Sequence, residues 1–302
     1  MAITKFADLI GTLDKLSLPR RIAVVAAEDG HTLEAIMRAE KDRIASPVLI
    51  GDETAIRALL AELGHSAAAV RIVRAADPAA AAREAVRLIH AQEADIIMKG
   101  RIETATLMKV IVDKTSNLRT GRIMSHLAFF EVPAYHKLLA VTDVAINIRP
   151  DLAQKRQLIE NAVPVLARMG IARPKVAALA AAEEVNPKIA DSLDALELKK
   201  MNLAGEITGC VIEGPISYDL AISREAARIK RYASPVAGDA DLLVVPDLTA
   251  GNLLAKALVY SGGAKMAGFV VGAKVPIILT SRSATTEDKY LSTVLAAAAC
   301  SE

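Results

Sequence analysis

Four times in its N-terminal third the chain repeats one pattern: a short apolar run, an abrupt polar stop, then apolar residues at helical spacing. Arg20-Arg21-Ile22-Ala23-Val24-Val25-Ala26-Ala27 stops at Glu28-Asp29-Gly30 ahead of Leu33, Ile36 and Met37. Pro47-Val48-Leu49-Ile50 stops at Gly51-Asp52 ahead of Ile56, Leu59, Leu60 and Leu63, and Val70 to Val73 precedes the Ala-rich stretch Ala79 to His90. Asp95-Ile96-Ile97-Met98 stops at Lys99-Gly100 ahead of Thr104, Leu107, Met108 and Val110. Continuous apolar runs of this length suit strands covered on both faces, and their alternation with helices predicts an α/β fold with a mainly parallel sheet.

Ligands of such sheets gather beyond the carboxyl ends of the strands. That rule makes Lys99, Gly100 and Arg101 candidate site residues, although a tight turn with solvated charges accounts for them equally well in local terms. Further along, Gly121 to Phe130 brings Arg122, Ser125 and His126 together beside an apolar run, and Leu138 to Asp143 is a strand ending in an acid, with Asn147 shortly after. A lone histidine in such a setting is more often structural than catalytic, so His126 is a pocket candidate only.

With 302 residues the chain exceeds what one core usually organises. Pro150-Asp151 looks like a boundary, followed by a long helix from Leu152 to Met169. A second set of elements follows: a strand Val176 to Leu179, a helix around Leu193 to Met201, a strand Cys210-Val211-Ile212 with a turn at Glu213-Gly214-Pro215, a strand Asp241 to Val245, and a helix Leu253 to Tyr260 after Gly251-Asn252.

Near the C-terminal end Val275 to Leu279 is another strand-type run, stopped by Thr280-Ser281-Arg282-Ser283 and succeeded by Leu291, Val294 and Leu295 at helical spacing. Thr285 or Thr286 is placed to cap that helix, with Glu287 and Asp288 in its first turn, where carboxylates suit the dipole. Backbone N–H groups, the hydroxyls of Ser281 and Ser283 and the guanidinium of Arg282 suit an anion there. Taken alone, the stretch also reads as a plain strand-to-helix connection.

Several classes are excluded by composition. Lys and Arg number 37 against 35 Asp and Glu, a formal net charge of +2, so nothing calls for nucleic acid or an anionic membrane as partner. Aromatic residues make up only 3% of the chain and Trp is absent, which leaves few stacking platforms for bases. Cys210 and Cys300 are the only cysteines and lack Cys-x-x-Cys spacing, so no disulfide framework or thiolate zinc site is expected, and a reducing, cytoplasmic home is. No run approaches bilayer-spanning length, and the N-terminal stretch, with Lys5 and Asp8, lacks the apolar core of a signal peptide.

Neither the G-x-G-x-x-G of dinucleotide sites nor the G-x-x-x-x-G-K-[ST] of nucleoside-triphosphate sites is present. His31, His65, His90, His126 and His136 show no metal-ligand pairing, so the expected site is free of metal and of resident cofactor.

Met98-Lys99-Gly100, Leu118 to His126, Thr142-Asp143-Val144-Ala145, Val185-Asn186-Pro187-Lys188, Gly209 to Pro215, Gly251-Asn252 and Leu279-Thr280-Ser281-Arg282 occur in an order that resembles the phosphate acetyl/butyryltransferase family, its butyryltransferases more than its acetyltransferases. The resemblance implies the reversible reaction of acyl-CoA with inorganic phosphate to give acyl phosphate and CoA, for short acyl groups from acetyl to butyryl, with coenzyme A as substrate. It implies two three-layer α/β/α domains with a cleft between, like isocitrate and isopropylmalate dehydrogenases, here residues 1–147 plus 282–302 and residues 148–281. A homodimer or higher homo-oligomer is implied as well.

By the same resemblance the catalytic residues are Ser281, Arg282 and Asp288. Lys99, Gly100, Arg122, Ser125, His126, Asn147 and Asn252 are substrate-binding candidates by position, and Arg101 is left without a role. Competing readings are a non-catalytic protein that binds CoA or acyl phosphate, an acyltransferase domain that works only with a dehydratase partner, and a dehydrogenase on the same fold. The last would need metal-binding aspartates, for which Asp239, Asp241 and Asp247 form the only nearby set.

Overall fold

A computed structural model of the chain describes residues 3–13, 18–68 and 70–300. In chain order the elements are α1 (Phe6–Leu13), β1 (Arg20–Val25), α2 (Gly30–Lys41), β2 (Ala45–Gly51), α3 (Glu53–Glu62), β3 (Arg71–Arg74), α4 (Pro78–His90), β4 (Ile96–Lys99), α5 (Thr104–Val112), β5 (Ser125–Glu131), β6 (Leu139–Thr142), α6 (Leu152–Arg168), β7 (Lys175–Leu179), α7 (Ala190–Leu203), β8 (Val211–Ile216), α8 (Tyr218–Ile222), α9 (Arg224–Ile229), β9 (Leu242–Val244), α10 (Leu248–Lys256), β10 (Lys265–Val271), β11 (Ile277–Ile278) and α11 (Thr286–Ala299). Among the described residues no helix is long and apolar enough to cross a membrane.

The chain divides into two compact units. The terminal unit takes Ala7–Arg122 and the segment from Ala267 onward; the central unit takes Ile123–Met266 with the N-terminal residues up to Phe6. In the terminal unit the strand order is β3-β2-β1-β4-β11-β10. All neighbours there run parallel except β10, which pairs antiparallel with β11. In the central unit the order is β5-β6-β9-β7-β8, parallel except for the antiparallel β5 and β6. Both units are therefore α/β, as the alternating pattern predicts.

The acids that stop the apolar runs turn out to be helix caps. Asp29, Asp52 and Asp77 accept backbone N–H bonds at the starts of α2, α3 and α4, and each such cap stabilises by about 1 kcal/mol. Strand β1 is buried on both faces: Ile22, Val24 and Val25 are fully enclosed, worth roughly 1.5–3 kcal/mol apiece. On α11 the pattern Leu291, Val294, Leu295 is buried, and the helix packs on α2. Its predicted start holds: Thr285 is the N-cap and forms a capping box with Asp288.

The structure departs from expectation in four places. The joints between units fall at 6/7, 122/123 and 266/267, whereas the resemblance implies 147/148 and 281/282. Strand pairing explains the difference, since β5 pairs with β6 and β6 with β9, while β11 pairs with β4. Glu213-Gly214-Pro215 is not a turn but lies within β8; that strand is at the edge of its sheet, where a proline removes no ladder bond. Gly251-Asn252 lies inside α10, which starts at Leu248 behind the Asp247 cap, and a π-helical turn, Ala257–Ser261, follows it. Strand β10 has no counterpart in the elements expected from sequence.

Candidate active site

Beyond the carboxyl ends of β1, β4 and β11 the terminal unit contains a cavity of about 900 Å3. Lys99, Gly100 and Arg101 line it from the end of β4, Ser281 and Arg282 from the turn after β11, and Lys289 from α11. Gly100 is where the backbone must come close. Its N–H donates to the Val25 carbonyl at 2.8 Å and the Arg101 N–H to the Ala26 carbonyl at 2.6 Å. A Cβ on Gly100 would stand 2.2 Å from the Ala26 carbonyl oxygen, so no side chain fits.

Lys99 is only 6% exposed. Its ammonium donates to the Gly100 carbonyl at 3.3 Å, a long contact for a buried charge. Burial pulls its pKa below the usual lysine value; Lys289 and Arg282 add to the shift, and Asp29 and Glu103 oppose it. Lys289 is equally buried, at 5%. Its Nζ donates to Thr32 Oγ1 at 2.9 Å and lies 3.5 Å from Asp29 Oδ1.

The carboxylates on the same wall are already engaged. Asp29 accepts the Thr32 N–H at 2.7 Å, and Asp77 accepts the Ala80 N–H at 2.7 Å. Burial works to raise the Asp29 pKa, but the Thr32 hydrogen bonds and the Lys289 charge outweigh it and hold the carboxyl low. Glu28 accepts the Asp52 N–H, and Glu103 is ion-paired with Arg282.

Ser281 Oγ lies 3.0 Å from Ser283 Oγ in the turn after β11. Asp288 Oδ2 accepts from both the backbone N–H and the hydroxyl of Thr285, each at 2.9 Å. Asp288 is not among the residues of the cavity wall, while Ser281 and Arg282 are.

The remaining candidates are held in other ways. Arg122 is exposed, and its N–H donates to Thr120 Oγ1 at 3.4 Å. Ser125, His126, Asn147 and Asn252 belong to the central unit. Ser125 and His126 are buried at the start of β5. The Asn147 side-chain amide donates to the Met124 carbonyl at 2.9 Å and to Asp143 Oδ2 at 2.6 Å, while Asn252 Nδ2 donates to the Val144 carbonyl at 3.3 Å. Asn161 supports the same strand start through the Ile123 carbonyl at 2.9 Å.

Asp143 organises this region. Buried at 2% exposure, its carboxylate accepts the backbone N–H groups of Ala145, Ile146 and Asn147 at 2.8, 3.0 and 3.2 Å. Gly251 lets α10 close over it, since a Cβ there would stand 2.4 Å from the Asp143 carbonyl oxygen. Sequence reasoning left Asp143, Glu103 and Lys289 without site roles. For Lys289 a signal was available: with Ser292, Thr293 and Ala296 it lies on the buried face of α11.

Asp239, Asp241 and Asp247 have structural partners. Asp239 accepts from His136 Nε2 at 2.7 Å and pairs with Lys175 and Lys137, Asp241 accepts the Lys175 N–H at 2.7 Å, and Asp247 caps α10 through the Ala250 N–H at 2.9 Å.

The sequence profile of the phosphate acetyl/butaryl transferase family matches residues 77–297. The chain belongs to this family. Within the phosphate acetyl/butaryl transferases it is 40% identical to the phosphate butyryltransferase of Clostridium acetobutylicum over 278 residues, 92% of each chain. It is 42% identical to the phosphate acetyltransferase of Thermotoga maritima over 278 residues, 92% of this chain and 94% of that one. The crystal structure of a branched-chain phosphotransacylase from Enterococcus faecalis superposes with a TM-score of 0.84 at 35% identity, covering 93% of this chain and 98% of the other. A 4-hydroxythreonine-4-phosphate dehydrogenase from Klebsiella pneumoniae, at 14% identity, a TM-score of 0.56 and coverage of 92% and 98%, shares the fold alone, in keeping with the dehydrogenase-like architecture expected for the phosphate acetyl/butaryl transferases.

Proposed function

We propose that the protein is a phosphate acyltransferase, converting acyl-CoA and inorganic phosphate to acyl phosphate and CoA by direct transfer, with short acyl groups from acetyl to butyryl. The observation that carries this reading is membership of the phosphate acetyl/butaryl transferase family along nearly the whole chain, with relatives named for both acyl groups. Two of the three residues that the resemblance marks as catalytic, Ser281 and Arg282, stand at a cavity beyond parallel strand ends, which supports it; Asp288 does not line that cavity.

In this reaction a phosphate oxygen attacks the thioester carbonyl, negative charge develops on the carbonyl oxygen, and the C–S bond breaks to release CoA. Arg282 is suited to hold phosphate or the developing oxyanion, and the Ser281 hydroxyl to donate to the same oxygen or to sulfur. The resemblance gives the proton to Asp288, whose Oδ2 is here engaged by Thr285 off the cavity wall: freed from that cap, it would take the CoA thiol proton when acyl-CoA is made and return it in the other direction. Such help matters because a thiol of pKa ~8.5 is little ionised at neutral pH. Holding both substrates together supplies most of the acceleration. CoA enters as substrate, and no metal or resident cofactor has a step to perform.

The dehydrogenase reading is disfavoured because Asp239, Asp241 and Asp247 are engaged by lysines, His136 and a helix start. We further propose a cytoplasmic homodimer or larger homo-oligomer. The deciding experiment is thiol titration of CoA released from acetyl-, propionyl- and butyryl-CoA with and without phosphate. Phosphate-dependent release is expected; a folded protein that releases CoA from none of the three overturns the reading in favour of a binding protein.

A further inference from the structure

Two buried ammonium groups meet the same cavity of the terminal unit, and their surroundings differ. Lys289 has the Thr32 hydroxyl at 2.9 Å and Asp29 at 3.5 Å. Lys99, 6% exposed, has its hydrogen bond to the Gly100 carbonyl at 3.3 Å. Of the acids of the same wall, Asp29 and Asp77 cap helices, Asp29 also pairing with Lys289, while Glu28 accepts the Asp52 N–H and Glu103 pairs with Arg282. Lys99 and Lys289 act on each other electrostatically, and like charges in a buried setting destabilise one another unless an anion lies between them. A lysine is a compact point charge with rotatable donors, suited to the tetrahedral oxygens of a phosphoryl group.

We infer that Lys99 and Lys289 form a phosphoryl-binding site in the wall of this cavity, with both ammonium groups donating to one phosphoryl group. Lys99, which among the described residues has no carboxylate within ion-pair distance, supplies one charge; Lys289, positioned by Thr32 and Asp29, supplies the second. This rests on the proposed acyltransferase reading for its choice of ligand. Two sources share the chemistry: inorganic phosphate with its acyl phosphate product, and the phosphates of CoA.

Binding is read without turnover on the full chain, by calorimetric titration with inorganic phosphate and, separately, with adenosine 3',5'-bisphosphate as a probe of the nucleotide end of CoA. Lys289→Met and Lys99→Met are each expected to weaken at least one of these ligands by about tenfold or more, as loss of a charge-assisted hydrogen bond should, while Lys289→Arg retains most of the affinity. A loss confined to phosphate assigns the site to phosphate; a loss confined to the bisphosphate assigns it to CoA; either supports the inference. Affinities within twofold of wild type for both ligands in Lys99→Met overturn it. Lys99→Met carries the test alone should Lys289→Met not fold. A wild-type chain that binds phosphate through these lysines yet releases no CoA would refute the proposed reaction while leaving the binding site in place. A wild type with phosphate-dependent release but unaltered binding in the variants would do the reverse.

Discussion

Arg282, in the turn after β11, is ion-paired through Nη2 to Oε1 of Glu103, the residue that leads into α5. Both side chains are largely exposed, at 76% and 67%, so the pair is screened by water and adds little to stability. Its weight lies elsewhere. The guanidinium proposed to meet phosphate already has a carboxylate partner, and phosphate must compete with it.

Glu103→Gln is therefore expected to lower the KM for phosphate by up to about fivefold, equivalent to the ~1 kcal/mol that an exposed pair is worth, with Tm unchanged. Steady-state phosphate titrations check this. An unchanged or raised KM would show that Glu103 does not compete.

Arg282→Ala is expected to reduce kcat by at least about a hundredfold to a thousandfold, as removal of a transition-state donor does. The side chain is exposed, so circular dichroism and Tm should match wild type. Arg282→Lys should recover only part of the rate, because a point charge cannot reproduce the planar fork. Near-normal turnover in Arg282→Ala would remove it from the mechanism.

Asp143→Ala should cost about 1–2 kcal/mol of stability, since it removes the buried acceptor of partly exposed backbone N–H donors. The donors concerned are those of Ala145, Ile146 and Asn147, together with the Asn147 amide. Asp143→Asn keeps an acceptor oxygen and should lose less. Urea unfolding of both variants tests the order; equal stability of Asp143→Ala and wild type would contradict it.

Asp239 gives the central unit an acid-sensitive element. Burial works to raise its pKa, but hydrogen bonds from Lys175, His136 and Lys137 prevail and hold the carboxyl far below the usual range. A carboxyl that binds its proton more weakly folded than unfolded contributes fully above the ordinary aspartate value of ~3.9, and the contribution is lost as pH falls below that toward the folded value. Asp239→Asn should be less stable than wild type at pH 7, by on the order of 2 kcal/mol, and the gap should close below about pH 4. Chemical denaturation at several pH values reads the gap; one that widened in acid would reverse the sign.

Much of the fold was legible because it is written in local periodicity. The runs at Ile22 to Val25 and Ile96 to Met98 are strands, and Thr285 caps α11, as their patterns predict. Of the candidate site, Lys99, Gly100, Ser281 and Arg282 could be singled out because they stand at or just beyond strand ends, and the structure gathers them on one cavity. What escaped depends on distant partners. Proline at 215 signals a turn until the strand containing it is known to be an edge, and Gly251 signals a helix boundary until the Asp143 carbonyl is found against it. Glu103 and Arg282 are 179 residues apart, beyond any spacing rule. Ser125 and Asn147 carry polar groups in suggestive positions, yet burial accounts for the first and bonds to Met124 and Asp143 for the second.

For anyone wishing to reshape the cavity, its two wall glycines are opposite cases. Gly100 is pressed against carbonyl oxygens of the main chain, which cannot move aside as a side chain can, so selection for altered specificity should return no replacement there. Gly30, the first residue of α2, borders the same cavity, and a Cβ added there meets nothing within 4 Å. Evolution or a designer could narrow the cavity from the helix side while the strand side stays fixed.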